Sequence, residues 1–231
     1  MIKYMFGLGF LLAMSISSCE QKVASQETTY INKDLPTIGI IIFDAVITNE
    51  ILAPLDVFSK HTANGEKLFN VIFIAAEQRA YKTEEGMRML PDFSFDNTPD
   101  LDVLVIPSSY ESAKQYKDQQ LVGFVNQQYD QLDYVATHCA GAFTLAASGK
   151  VDNKQLVTYI TGGESLQKEF PNLKVQDDAV VSVARDGKVF SSNGSLVSYL
   201  GSLDLLEALT SSEHRKYVEG SLYLDRLITS N

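Results

Sequence analysis

A cysteine near the middle of the chain is the residue best suited to covalent chemistry. Cys139 ends the apolar run VATHC and is followed at once by the small residues Ala140, Gly141 and Ala142. This pattern predicts a strand that turns sharply into a helix, with the sulfur at the helix N-terminus, where the peptide dipoles favour a thiolate. Cys139 is therefore a candidate nucleophile. A buried cysteine with a structural role is the alternative that these residues allow.

A thiol nucleophile needs a neighbour that can take and return its proton. Glu50 is the candidate, because it follows the first apolar run and a short loop, which should place it at the same sheet edge as Cys139. A first-turn glutamate that only complements the helix dipole is the alternative. His138 precedes Cys139 directly, and adjacent residues of a strand point to opposite faces, so we do not expect an ion pair between these two.

Backbone amides near Cys139 are candidates for an anion site. Ser109 lies in a tight turn after another apolar run, and Ala140 follows the cysteine. The N–H groups of these two residues could together stabilise a negative charge that develops during a reaction. An ordinary polar turn is the alternative for Ser109.

The elements that must position these residues alternate between short apolar runs and longer amphipathic segments. Continuous β-branched runs predict strands that are buried on both faces, and their alternation with helices predicts an α/β sandwich with a mainly parallel sheet. The predicted strands are 37–43, 69–75, 101–107 and 132–139, and the predicted helices are 50–62, 112–129, 140–148, 196–210 and 213–227. Turn signals at Glu85-Gly86 and Asp186-Gly187 predict two hairpins, at 81–90 and 179–192.

The start of the chain has the layout of an export signal. Residues 1–18 combine a basic start with an apolar run too short to span a bilayer. The motif ISSC, which ends in Cys19, resembles the lipobox of bacterial lipoproteins, so we expect cleavage before Cys19, lipidation of its thiol and an exported, lipid-anchored protein of the cell envelope. Residues 19–35 are then a tether, and 36–231 form the folded domain. A signal peptide that is cut elsewhere is the alternative.

The net charge and the number of cysteines argue against two further features, nucleic-acid binding and an internal disulfide. The net charge of −10 disfavours nucleic acid as a partner, because a phosphate-binding surface needs clustered Lys and Arg. The chain has two cysteines, so with Cys19 lipidated the domain keeps Cys139 alone and can form no internal disulfide.

Four stretches of the chain resemble the ThiJ/PfpI superfamily in order and spacing. These are IIFDAVITNEILAPLDVF, GMRMLPDFSFDNTPDLDVLVIPSS, VATHCAGAFTLAASGKVD and VFSSNGSLVSYLGSLDLLEAL. The resemblance implies a flavodoxin-like three-layer sandwich, a homodimer, and Cys139 on a strained nucleophile elbow. It also implies that Glu50 is the proton partner and that the Ser109 and Ala140 amides form the anion site. We expect neither a metal nor an organic cofactor.

The sequence departs from the family pattern at positions that decide chemistry. Ser108-Ser109 replaces a turn that usually holds two glycines, and Ala140 stands where protease-like members have histidine. Tyr159 stands where many members have a histidine, which makes it, together with His138, a candidate for facing the substrate. Core packing is the alternative for Tyr159.

The resemblance implies a hydratase of the isocyanide hydratase type, in which Cys139 attacks a small electrophile and Glu50 moves a proton. Such hydratases usually have threonine after the cysteine and aspartate in the first loop, whereas this chain has Ala140 after the cysteine and Glu50 as the carboxylate. Peptidase and amidotransferase activity are disfavoured, because both need a histidine beside the thiol. A non-catalytic ligand-binding or redox-sensing module with an oxidisable Cys139 is the alternative, so the sequence leaves open whether the protein is an enzyme.

Overall fold

A seven-stranded sheet forms the centre of the computed structural model, which describes residues 29–228. The predicted signal peptide and Cys19 therefore lie outside the described residues. The described residues contain this sheet and two pairs of short strands, β3 with β4 and β8 with β9. In chain order the strands are β1 (Thr37–Ile41), β2 (Asn70–Ala75), β3 (Tyr81–Lys82), β4 (Arg88–Met89), β5 (Phe93–Ser94), β6 (Val103–Ile106), β7 (Tyr134–His138), β8 (Gln155–Leu156), β9 (Lys174–Val175), β10 (Val183–Asp186) and β11 (Val189–Ser192). The main sheet has the order β10-β11-β7-β6-β1-β2-β5, and only the β10–β11 pair in it is antiparallel.

Helices cover both faces of this sheet, which confirms the predicted α/β sandwich. They are α1 (Thr48–Phe58), α2 (Ala113–Tyr116), α3 (Gln119–Tyr129), α4 (Gly141–Ala147), α5 (Gly163–Glu169), α6 (Val197–Leu209), α7 (Ser212–Ser221) and α8 (Leu224–Ile228), with a 3₁₀ helix at Phe95–Asn97. Every residue of β1, β6 and β11 is buried, as expected for strands with helices on both sides. One apolar core includes residues of α3 and α4, and the other includes residues of α1 and α6.

Several predicted elements differ in extent from the observed ones. The predicted helix at 112–129 is two helices, because the Asp118 carboxylate accepts the N–H groups of Gln120 and Leu121 and so begins α3 anew. The predicted helix at 213–227 breaks before Tyr223, whose φ of 56° lies in the left-handed region. The short α5 was not predicted. Within residues 29–228, no helix is both long and apolar enough to cross a membrane.

Parallel strands bring distant parts of the chain to one edge of the sheet. The carboxyl ends of β1, β6, β7 and β11 lie at neighbouring positions, and the loops that leave them meet there. A backbone bond from Ile47 N–H to the Ser108 carbonyl (2.9 Å) ties the loop after β1 to the loop after β6. The site described next is built at this edge.

Candidate active site

Cys139 stands on a tight turn between β7 and α4. Its φ of 53° is in the left-handed region, which is unfavourable for a residue with a Cβ atom and is seen mainly where surrounding structure enforces it. The Cys139 N–H donates to the Ser192 carbonyl (2.9 Å), and the Thr158 hydroxyl donates to the Cys139 carbonyl (2.9 Å). The backbone of the cysteine is thus held on both sides, and its side chain lines a cavity.

Gly141 allows α4 to begin directly against the neighbouring strand. A Cβ atom at this position would lie 2.2 Å from the Ile106 carbonyl oxygen. Backbone atoms cannot move aside as a flexible side chain can, so only glycine fits here. The small residue after Cys139-Ala140 is therefore a requirement of the elbow.

Glu50 lies beside the Cys139 side chain and does not itself line the cavity. The residue is fully buried in the first turn of α1, and its carboxylate is close enough to Cys139 for each group to shift the pKa of the other. Its Oε2 accepts the N–H of Ser108 (2.7 Å), and its Oε1 accepts the N–H of Ser195 (3.4 Å). The structure thus brings the two predicted reactive residues together. Because Glu50 is buried beside Cys139, it is more than a glutamate that complements the helix dipole.

Burial and mutual repulsion determine how the pair holds its protons. Burial raises the pKa of Glu50, although its hydrogen bonds from Ser108 and Ser195 oppose the shift. Burial, followed by the negative charge of Glu50, raises the pKa of Cys139 to about 12, while the Ser108 hydroxyl and the Ala140 N–H lower it by less. Burial and the Glu50 carboxylate thus act against the helix dipole that the sequence analysis considered, and the pKa of the Cys139 thiol lies above its ordinary value.

The two amides proposed for the anion site have different surroundings. The Ala140 N–H lowers the pKa of the Cys139 thiol, which is the direction that a donor next to the sulfur gives. Ser109 lines the same cavity, and its hydroxyl donates to Gln115 Oε1 (2.5 Å). The N–H of the preceding residue, Ser108, is already used by Glu50, so that amide serves the carboxylate.

Gly194 is a site residue to which the sequence argument gave no role. Its φ is 86°, and a Cβ atom there would lie 2.3 Å from Cys139 Cβ and 2.6 Å from Glu50 Oε1. Only a residue without a side chain can lie this close to both reactive groups. The available signal was the dipeptide Asn193-Gly194 directly after an apolar strand, which is a turn signal at the same sheet edge.

His138 faces the other side of the sheet from Cys139. The ring is buried, its Nδ1 lies 2.8 Å from Ser192 Oγ, and it packs against α6 at Gly201. Burial lowers its pKa to about 3, so the ring is neutral. His138 does not line the cavity, so its proposed role as a substrate-facing residue is wrong: the alternation of strand residues turns it away.

The cavity above the thiol has a volume of about 580 Å³. Tyr159 forms part of its wall and lies in the loop after β8, not within a strand. Its ring packs so closely on Gly162 that a Cβ atom there would lie 2.6 Å from Cζ, and it stacks on Phe143 with centroids 6.4 Å apart. Tyr159 therefore forms part of the cavity wall and is held by its contacts with Gly162 and Phe143.

Metal ligation has no candidate in the part of the chain that the structure describes. No group of three or more His, Cys, Asp or Glu side chains there is arranged to hold a metal ion. The groups gathered around Cys139 are its thiol, the buried Glu50 carboxylate and the neighbouring backbone amides.

Comparisons of this chain with known proteins agree on one family. Residues 36–208 match the family model described as the DJ-1/PfpI family. Isonitrile hydratase of Pseudomonas putida is 24% identical over 182 residues, which are 79% of this chain and 75% of that protein. Drosophila melanogaster DJ-1beta shares the fold, with a TM-score of 0.69 and 22% identity over 82% of this chain and 98% of that one. A ThiJ/PfpI family protein from Pseudomonas syringae has a TM-score of 0.73 and 15% identity over 87% and 84%. The chain belongs to the DJ-1/PfpI family.

Proposed function

We propose that the protein is a cysteine-dependent hydratase that adds water to a small, uncharged electrophile of the isonitrile type. The observation that carries this proposal is the buried Glu50 carboxylate next to Cys139, whose side chain lines a cavity. The similarity to isonitrile hydratase of Pseudomonas putida supports the choice of substrate class.

The first half of the reaction joins the substrate to sulfur. As the Cys139 sulfur attacks the terminal carbon of the isonitrile, the thiol proton passes to the Glu50 carboxylate. The new C–S bond leaves a negative charge on that carbon, which takes the proton back from Glu50 and becomes a thioimidate. The high pKa of the thiol suits this sequence, because its proton leaves only when sulfur begins to form a bond.

The second half releases the product with water. Glu50, again a carboxylate, takes a proton from a water molecule as its oxygen adds to the thioimidate carbon, and this proton then reaches the substrate nitrogen. The tetrahedral intermediate collapses to an N-substituted formamide, its C–S bond breaks, and the hydroxyl proton returns to sulfur through Glu50. The sum is one isonitrile and one water converted to one formamide, with no redox change.

The cavity lining supports an uncharged substrate with an apolar substituent. Among the described residues, no Lys, Arg, His, Asp or Glu lines the cavity. Three large apolar side chains surround its mouth and are mostly exposed, namely Tyr110 (72%), Ile160 (61%) and Leu196 (71%). An apolar substituent would cover these side chains, whereas a carboxylate or phosphate would find no cation there.

A series of alkyl isonitriles tests this proposal. We expect the wild-type protein to form the N-alkylformamide, and Cys139→Ser to form none. We also expect kcat/KM to rise with chain length up to the limit of the cavity, by up to roughly fourfold per buried methylene, which is about 0.8 kcal/mol. An isonitrile that carries a carboxylate should react poorly. Absence of formamide from every isonitrile, with folded protein, would rule out the hydratase.

The lipid anchor is a separate proposal that rests on the ISSC motif ending in Cys19. Because the motif lies ahead of the domain, Cys19→Ser should leave the unfolding transition of the domain unchanged and release the protein from the membrane fraction. Fractionation after a high-salt wash, followed by immunoblotting, measures this. A Cys19→Ser variant that stays with the membrane would contradict the anchor.

The homodimer and the absence of a nucleic-acid partner also stay proposals. The homodimer rests on the family resemblance, and the exposed apolar side chains Val180 (77%) and Leu196 (71%) are of the kind that association covers. Sedimentation velocity tests the homodimer, and a species with the mass of one chain would contradict it.

The net charge of the chain, −10, argues against a nucleic-acid partner.

A further inference from the structure

Thr158 contacts the nucleophile through the backbone. Its side chain is fully buried, and its hydroxyl donates to the carbonyl oxygen of Cys139 at 2.9 Å. The Thr158 carbonyl in turn accepts the side-chain N–H of Asn193 at 2.7 Å, and Asn193 lines the cavity after β11. The backbone of Thr158 is thus tied to a second strand end of the same sheet edge.

The contact matters because a peptide unit is planar. The Cys139 carbonyl and the Ala140 N–H belong to one trans peptide plane and point in opposite directions. A hydrogen bond that fixes the carbonyl therefore fixes the direction of the N–H as well. The Ala140 N–H is the backbone amide that lowers the pKa of the Cys139 thiol.

We propose that Thr158 is a positioning residue for the reaction: its hydroxyl holds the Cys139–Ala140 peptide plane so that the Ala140 N–H points at the reacting sulfur and at the charge that develops there. This inference rests on the proposed role of Cys139 as nucleophile, but it does not depend on which electrophile is the substrate.

The other backbone contacts of Cys139 do not fix this plane. The bond from the Cys139 N–H to the Ser192 carbonyl fixes the preceding peptide plane. The Ala142 N–H also approaches the Cys139 carbonyl, but at 3.4 Å it is a weak contact. With φ at 53°, the cysteine is in a region that its own backbone does not favour, so the Thr158 hydroxyl is the main restraint on the plane that follows.

Removal of the hydroxyl tests the proposal. Thr158→Val keeps the shape of the side chain but cannot donate, and Thr158→Ser keeps the donor. We measure the alkylation rate of Cys139 by iodoacetamide at pH 8, resolved by site with mass spectrometry, together with kcat and KM for an alkyl isonitrile. For Thr158→Val we expect a higher thiol pKa and hence about tenfold slower alkylation per unit of pKa, with kcat reduced and KM unchanged. Thr158→Ser should restore both rates.

A matched control separates positioning from general destabilisation. Thr137 is a buried threonine on β7, and among the described residues its hydroxyl has no hydrogen-bond partner. Thr137→Val should therefore leave the alkylation rate and kcat unchanged. If Thr158→Val fails to fold, Thr158→Ala removes the same donor with less bulk.

Each outcome decides the proposal. Folded Thr158→Val or Thr158→Ala with wild-type alkylation and kcat would overturn it, and so would a Thr158→Ser variant as slow as Thr158→Val. Slowed alkylation in a protein without isonitrile turnover would support the positioning role while ruling out the hydratase, so the two failures can be told apart.

Discussion

Gly194→Ala is expected to destabilise the protein and to abolish its reactivity at Cys139. The added Cβ atom would lie 2.3 Å from Cys139 Cβ and 2.6 Å from Glu50 Oε1, and the φ of 86° is strained for any residue with a side chain. Overpacking and left-handed backbone strain together should lower the free energy of unfolding by about 3 kcal/mol. Urea denaturation and isonitrile turnover measure the two effects.

Gly123 provides the matched control for this substitution. It lies within α3, its φ is not in the left-handed region, and a Cβ atom there would meet no atom within 4 Å. Gly123→Ala should therefore raise the free energy of unfolding by roughly 0.5–1 kcal/mol, because alanine loses less backbone entropy in a helix. Equal stability and activity of Gly194→Ala and the wild type would show that the loop after β11 does not approach the pair as described.

Glu50→Gln should abolish turnover without unfolding the protein. Gln keeps the size and one acceptor for the Ser108 N–H, but it cannot carry the thiol proton, so kcat should fall by at least about 100-fold. Burial places the pKa of Glu50 in the folded state above its ordinary value, so the native state loses stability as the pH rises through that folded pKa. The Gln variant lacks this loss, and its free energy of unfolding at neutral pH should equal or exceed that of the wild type.

Glu85→Gln is the control for the loss of a carboxylate near α1. Glu85 accepts the backbone N–H of Thr48 at the start of the same helix (3.0 Å). Its side chain is exposed to solvent, unlike that of Glu50. We expect wild-type kcat from Glu85→Gln. Retention of kcat in Glu50→Gln as well would show that no proton passes through residue 50.

The sheet and the meeting of Cys139 with Glu50 were predictable because both depend on strong local patterns. Continuous apolar runs mark strands buried on both faces, and residues that follow the carboxyl ends of parallel strands gather at one edge. The same rule predicted that His138 faces away from Cys139, because alternation along a strand needs no knowledge of distant contacts.

The contacts that complete the site were not predictable, because they depend on how loops turn after the strands end. Gly194 reaches Glu50 from a distant part of the chain, and Thr158 reaches Cys139 from the loop after β8. The upward shift of the Cys139 pKa was not predicted, for a similar reason. Helix position can be read from the sequence, whereas burial and the nearby charge of Glu50 are tertiary properties, and these two dominate the pKa.

The pH dependence of Cys139 alkylation tests most directly whether Cys139 and Glu50 act as one pair. Iodoacetamide is applied to the wild type and to Glu50→Gln from neutral to high pH, and modification of Cys139 is followed by mass spectrometry. The wild-type rate should still be rising at the highest pH that keeps the protein folded, since the thiol pKa is about 12. Removing the negative charge of Glu50 should shift the profile to lower pH, by about tenfold in rate at pH 8 for each unit of pKa. An unshifted profile in Glu50→Gln, or a shift to higher pH, would contradict the account.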